Sequence, residues 1–337
     1  MKMETNSYVV LLIVYMLVLI CRIEGSNNGT ISAVIAFGDS ILDTGNNNNL
    51  KTMSKCNYMP YGRDFPGGLP TGRFGNGKVF SDLMAEGLGV KELLPAYLDP
   101  NLQDEDLPTG VCFASGGTGF DPITSGIQNV IPPSQQLDNF KEYLSRLQNC
   151  VGKDRADEII ANAQFLISFG NNDLAITYFG THLRLTQDIP AYTSQLVSMA
   201  STFVNDIYAL GARRIGFLGT LPLGCLPSAT GRLMCLENVN EAAQLFNSKL
   251  SSEMTNLNQN LNGAKIFYID VYTPLLEIIR DPPKSGFLVA NVGCCCQGLM
   301  SCPLPETNVF WDYGHPSEKA YKIIISQLLQ NSASNFS

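Results

Sequence analysis

Histidine is scarce in this chain. His182 and His315 are the only imidazoles in 337 residues, so a mechanism that needs a neutral base near pH 7 has two candidates. Positive charge is short as well: 22 Lys and Arg face 30 Asp and Glu, a net charge of −8 that repels phosphate backbones and anionic lipid. Nucleic acid is therefore disfavoured as a partner. Beyond the N-terminus no apolar run approaches the ~20 residues of a membrane span. Internal repeats and low-complexity tracts are absent, which excludes solenoid and fibrous architectures. The chain also lacks a Gly-Lys-Ser/Thr phosphate loop and a dinucleotide fingerprint, so no nucleotide cofactor is expected. It has no G-x-S-x-G elbow, which argues against the α/β-hydrolase fold. Nor are there separated C-x-x-C pairs, so the four thiols between Cys294 and Cys302 read as disulfide partners rather than as a zinc site.

What is present suits export. The run from Tyr8 to Cys21 is too short to span a bilayer and of the right length for the apolar region of a signal peptide, with a signal anchor as the alternative. Cleavage near Gly25 or Ser26 predicts a signal over 1–25, a single domain over 26–337, and a secreted, extracellular product. Ten cysteines exceed what a reduced cytosolic enzyme needs, and two glycosylation sequons, at Asn28 and Asn335, flank the predicted product.

Short β-rich apolar runs recur at 31–37, 164–169, 214–218 and 264–271, separated by helical spacing over 190–210 and 238–261. That alternation predicts a parallel sheet covered on both faces. A last helix is expected with Pro316 in its first turn and Ser317 and Glu318 at its N-terminus. Residues 44–78, with seven glycines, and 281–311, with four cysteines, read as loop-rich insertions that could wall a cleft.

Open parallel sheets bind ligands beyond the carboxyl ends of their strands. The first strand runs into Phe37-Gly-Asp-Ser40, the second into Gly170-Asn-Asn-Asp173, and Asp312-Tyr-Gly-His315 precedes the last helix. A serine hydroxyl needs a base within hydrogen-bond reach, and the base needs a group that fixes its tautomer. Asp312 and His315, three residues apart, can supply both to Ser40, whereas His182 has no acid within three residues and reads as a surface or packing residue. Asn172 offers an amide, and the Phe113–Gly119 turn offers backbone N–H groups, for a developing oxyanion.

These blocks, in this order, resemble those of the GDSL esterases/lipases of the SGNH hydrolase superfamily, most closely the plant secreted branch that includes extracellular lipases. Phe37–Asn47, Ala114-Ser-Gly-Gly117, Gly170–Asp173 and Asp312–Ser317 carry the match, supported by Arg73–Lys78, Leu221–Pro227 and Asn240–Ala243. The resemblance implies a flavodoxin-like three-layer α/β/α sandwich with a mainly parallel sheet. It also implies a cofactor-free serine esterase or lipase acting on small-molecule or lipid esters, with Ser40 as nucleophile, His315 as base and Asp312 as its partner. The oxyanion hole would comprise Asn172, the Ser40 N–H, and either Gly116 or Gly117. An acyltransferase on the same residues and a non-catalytic binding protein are the alternatives. Ile41 replaces the leucine of the family motif. Cys112 stands where relatives carry asparagine, so a turn-stabilising hydrogen bond is expected to be missing. Preferred bridges are Cys225 to Cys235 and the 294–296 cluster to Cys302.

Overall fold

A computed structural model describes residues 31–230, 234–296, 301–331 and 333–336. The predicted signal segment and Asn28 lie outside the described residues. Strand β1, Val34–Gly38, is buried along its whole length, as a continuous apolar run inside a parallel sheet must be. Strands β2 (Gln164–Ser168), β3 (Arg214–Leu218) and β4 (Lys265–Ile269) follow in the spatial order β1-β2-β3-β4, every pair parallel. On the outer side of β1 the chain passes once more: Ala36 N–H donates to Val111 O at 3.2 Å, and Phe113 N–H donates to Ala36 O at 2.7 Å. With this stub counted as a fifth lane, the spatial order in chain numbering is 2-1-3-4-5, the flavodoxin arrangement.

Among the described residues, eight α-helices of seven residues or more accompany the sheet: α1 Phe80–Gly87, α2 Pro122–Gln128, α3 Pro133–Val151, α4 Lys153–Asn162, α5 Ile189–Ala209, α6 Glu237–Asn260, α7 Tyr272–Arg280 and α8 Glu318–Asn331. Helix α5 packs on α6 and α1 packs on α8. The Phe37 ring of β1 meets Phe140 of α3 and Phe203 of α5, both at 5.4 Å. The main apolar core runs from Ile31 to Phe336, a smaller buried cluster gathers Tyr61, Phe74, Cys294 and Trp311, and the chain is an α/β/α sandwich around a parallel sheet.

The expected helix start is displaced by two residues. Pro316 pairs with Phe310 in an antiparallel bridge, and the His315 carbonyl accepts from Trp311 N–H at 2.8 Å. Helix α8 therefore begins at Glu318. Ser317 caps it, accepting from Ala320 N–H at 3.4 Å while its hydroxyl donates to Asn308 O at 2.8 Å. The 281–311 segment is also more regular than its prolines and cysteines suggested. It forms a parallel pair, β5 (Val289–Gly293) with β6 (Asn308–Phe310), and β6 leads directly into the Asp312–His315 loop. Disulfides join Cys225 to Cys235, Cys294 to Cys302, and Cys295 to Cys296. The first two match the preferred pairings.

Candidate active site

Ser40 sits in the turn that ends β1. Gly38 lies so close to β2 that an added Cβ would come within 2.3 Å of Ser168 O, at a φ of +145° that also favours glycine. The chain can hug its neighbour strand there and then turn. Asp39 fixes the turn: its carboxylate accepts from Ile41 N–H at 3.1 Å, Ser168 Oγ at 3.1 Å and Asn171 Nδ2 at 3.0 Å. Burial outweighs those donors and pushes the Asp39 carboxyl up to about 6.

The three residues expected to cooperate meet, although 275 positions separate Ser40 from His315. His315 Nε2 lies 2.7 Å from Ser40 Oγ, and Nδ1 lies 2.8 Å from both Asp312 carboxylate oxygens. Asp312 also accepts from the backbone N–H of Gly314 at 2.9 Å and of His315 at 2.8 Å, so the loop bonds its own acid in place. Burial works against both charges. Even so, the pair and its hydrogen bonds hold Asp312 below the ordinary carboxylate range and His315 above the ordinary imidazole value of 6.5, with the nearby Asp39 charge adding to the latter. The Phe74 ring lies 5.2 Å from the imidazole and confines it. His182 is exposed and has no part in this arrangement.

The glycine turn differentiates its two candidates. Gly116 N–H donates to Asp43 Oδ2 at 2.8 Å and is thereby committed, and an added Cβ there would enter the Phe74 ring at 2.1 Å. Among the described residues neither Gly117 N–H nor Ser40 N–H has a hydrogen-bond partner. Asn172 Nδ2 donates to Thr118 O at 2.9 Å, which orients the amide and leaves its second hydrogen available. Asp173 secures the far end of the turn, accepting from the N–H groups of Phe120 and Asp121, each at 2.9 Å.

Several supporting residues escaped the sequence reading. Tyr61 donates its hydroxyl to Asp312 Oδ2 at 2.8 Å, and burial beside that carboxylate raises its own pKa far above the ordinary range, so it stays a donor. Gln136 clasps Gly38 with its amide, accepting from N–H and donating to C=O, both at 2.9 Å. Asn46 and Asn47 sat in a stretch read as a cleft wall. In the fold they are buried: Asn46 donates to Cys112 O and Ala114 O, and Asn47 to Gly116 O and Ser54 O. The turn is thus held despite cysteine at 112, which instead donates to Leu42 O at 3.1 Å. Only the run of asparagines hinted at this; a lone tyrosine in a loop gives no such signal.

A family model described as GDSL-like Lipase/Acylhydrolase matches residues 34–328. Among curated proteins of Arabidopsis thaliana, GDSL esterase/lipase At1g23500 is 52% identical over 318 residues, covering 92% of this chain and 92% of the relative. GDSL esterase/lipase At5g63170 is 50% identical, covering 91% of this chain and 93% of its own length. GDSL esterase/lipase EXL3 is 47% identical, covering 91% and 89% respectively. With likeness along nearly the whole length of each, the chain belongs to the GDSL-like lipase/acylhydrolase family and is a carboxylic ester hydrolase.

Proposed function

We propose that this hydrolase is exported after removal of residues 1–25, works as a single domain over 26–337, and cleaves acyl esters through a covalent intermediate on Ser40. The observation that carries the mechanism is the unbroken chain from Ser40 Oγ through His315 to Asp312, with 2.7 and 2.8 Å contacts. His315 Nε2 takes the hydroxyl proton as Oγ bonds to the ester carbon, and Asp312 steadies the imidazolium that forms. The carbonyl oxygen becomes an anion received by Ser40 N–H, Gly117 N–H and Asn172 Nδ2. As the tetrahedral species collapses, the C–O bond to the alcohol breaks and His315 returns its proton to the departing alkoxide. Water, deprotonated by the same imidazole, then releases the acid and restores the Ser40 hydroxyl. Glycans at Asn28 and Asn335 fit the exported reading; Asn335 is half-buried near the chain end.

An organophosphate probe tests the mechanism: it should label the protein once, on Ser40, and Ser40→Ala should abolish both labelling and turnover of nitrophenyl esters. Labelling of Ser115 instead would overturn it. N-terminal sequencing of protein recovered from the secretory route should find a start near residue 26, and an intact Met1 would count against export.

A further inference from the structure

Helices α2, α3 and α5 border an open cavity of about 680 Å³ that Ser40, Asp312 and His315 do not line, within the volume range of small-molecule sites. Phe120, Val130, Pro132, Leu137, Met199 and Phe203 supply its apolar walls. The Phe120 ring lies 6.3 Å from Phe203, and behind it 4.5 Å from Phe169 and 6.2 Å from Phe217, so this wall is backed by the aromatic core over the sheet.

The charged lining residues are Asp138, Lys141 and Asp206. Lys141 Nζ is already bonded to Asp138 at 2.8 Å, which leaves this set net negative. Exposed apolar side chains neighbour the lining residues, in the chain or through an ion pair. Ile127, beside the cavity-lining Gly126, is 46% exposed, and Leu183 and Leu185 are 54% and 56% exposed. Arg184 between those two leucines bonds Asp121 at 2.6 Å, so their loop is fastened next to Pro122 of the cavity wall. A cavity with apolar walls and an apolar fringe is a site that water hydrates poorly and an alkyl chain can fill.

We infer that this cavity binds the alkyl chain of an uncharged amphiphile in preference to a fatty-acid anion. The chain gains by leaving water against Phe120, Leu137, Met199 and Phe203, while the surplus acid among the charged lining residues repels a carboxylate head and leaves a hydroxyl or ester head unopposed. Binding of this kind needs neither Ser40 nor His315, so the inference stands apart from the hydrolytic mechanism. It does place the chain close to the glycine turn, because Phe120 is three residues beyond Gly117 and its N–H is held by Asp173 at 2.9 Å.

The test uses full-length Ser40→Ala protein, which cannot turn over a ligand. Nile red bound to it should be displaced saturably by 1-O-dodecylglycerol below its micellar concentration, and at least about tenfold more weakly by dodecanoate at pH 8. Met199→Trp, which fills the cavity, should weaken the ether by about tenfold or more. Gly126→Leu should do the same from the helix that borders the opening; an added Cβ there meets no atom within 4 Å, and the change favours a helix. Asp206→Lys should narrow the gap between ether and carboxylate. Thermal midpoints within a few degrees of the parent certify folding for each. Absent saturable displacement, unchanged affinity in both filling variants, or equal binding of dodecanoate overturns the inference. Turnover of a soluble acetyl ester by the same variants with Ser40 intact reports on the hydrolytic reading separately.

Discussion

Asn172 has two amide hydrogens, and Thr118 O takes one. If the other meets the oxyanion, its bond strengthens as charge develops, so Asn172→Ala should lower kcat by about 10²–10³ with KM little changed. If the residue serves only the turn, the variant should lose about 1 kcal/mol of stability and keep kcat per folded molecule. Measuring both on one preparation decides. In the proposed mechanism His315 must be neutral to accept the Ser40 proton, and the Asp312 carboxylate raises its pKa above 6.5. The acid limb of kcat/KM should therefore fall above pH 6.5, and Asp312→Asn should move it down while sharply reducing kcat. His182→Ala should leave the profile untouched. Tyr61 acts one step further back, through its 2.8 Å bond to Asp312 Oδ2. Tyr61→Phe removes a donor that shares the carboxylate with His315. It should lower kcat by about tenfold and shift the acid limb upward, because the less-shared charge favours the imidazolium. A pure packing role would leave the limb in place.

At the level of elements, what was legible followed from periodicity. The run 214–218 coincides with β3, and the helix predicted over 190–210 is α5, Ile189–Ala209, because apolar spacing records which face each element buries. The meeting of Ser40, Asp312 and His315 was legible because they stand where strands and helices meet, and because two histidines left little choice. The supports were not, since they depend on chain crossings that no local pattern encodes. Gln136 reaches Gly38 across 98 positions and Tyr61 reaches Asp312 across 251. Choosing between Gly116 and Gly117 likewise needed the Asp43 bond, a contact across 73 positions. The segment 44–78 is thus partly interior scaffold. Asn47 illustrates this, donating to Ser54 O and Gly116 O and accepting from Ser115 Oγ at 2.5 Å. Asn47→Ala leaves these buried groups unsatisfied, with a cost on the order of 3 kcal/mol in denaturant titrations and a loss of kcat as the glycine turn loosens. A variant as stable and active as the parent would show that the turn holds itself.

For the whole molecule, the buried acids set how stability depends on pH. Burial pushes Asp39, Asp43 and Asp173 up to about 6, from an ordinary value of 3.8 that the unfolded chain regains. Between those values the folded state holds more protons than the unfolded state, so stability falls as pH rises through the window and levels off above it. From pH 7 down to pH 5 each group should add on the order of 1 kcal/mol, and the three together a few kcal/mol. His315 acts in the same sense: its folded pKa is raised, so its contribution is full below 6.5 and is lost as pH climbs through the folded value. Asp312 and Asp121 are depressed and act oppositely, but their loss comes at more acid pH, below the ordinary carboxylate value of 3.8. Acidification over this range also discharges part of a surface whose net charge is −8, which relieves self-repulsion. The thermal midpoint should thus rise on going from pH 7 to pH 5 while kcat/KM falls, because the fall in pH that protonates the three aspartates also protonates His315, which in the proposed mechanism must be neutral. Calorimetry and initial rates across one buffer series test both. A midpoint that drops on acidification would mean the three aspartates are charged in the folded state throughout, satisfied by their N–H donors, and Asp173→Asn would then destabilise the protein at pH 5 instead of flattening its pH dependence.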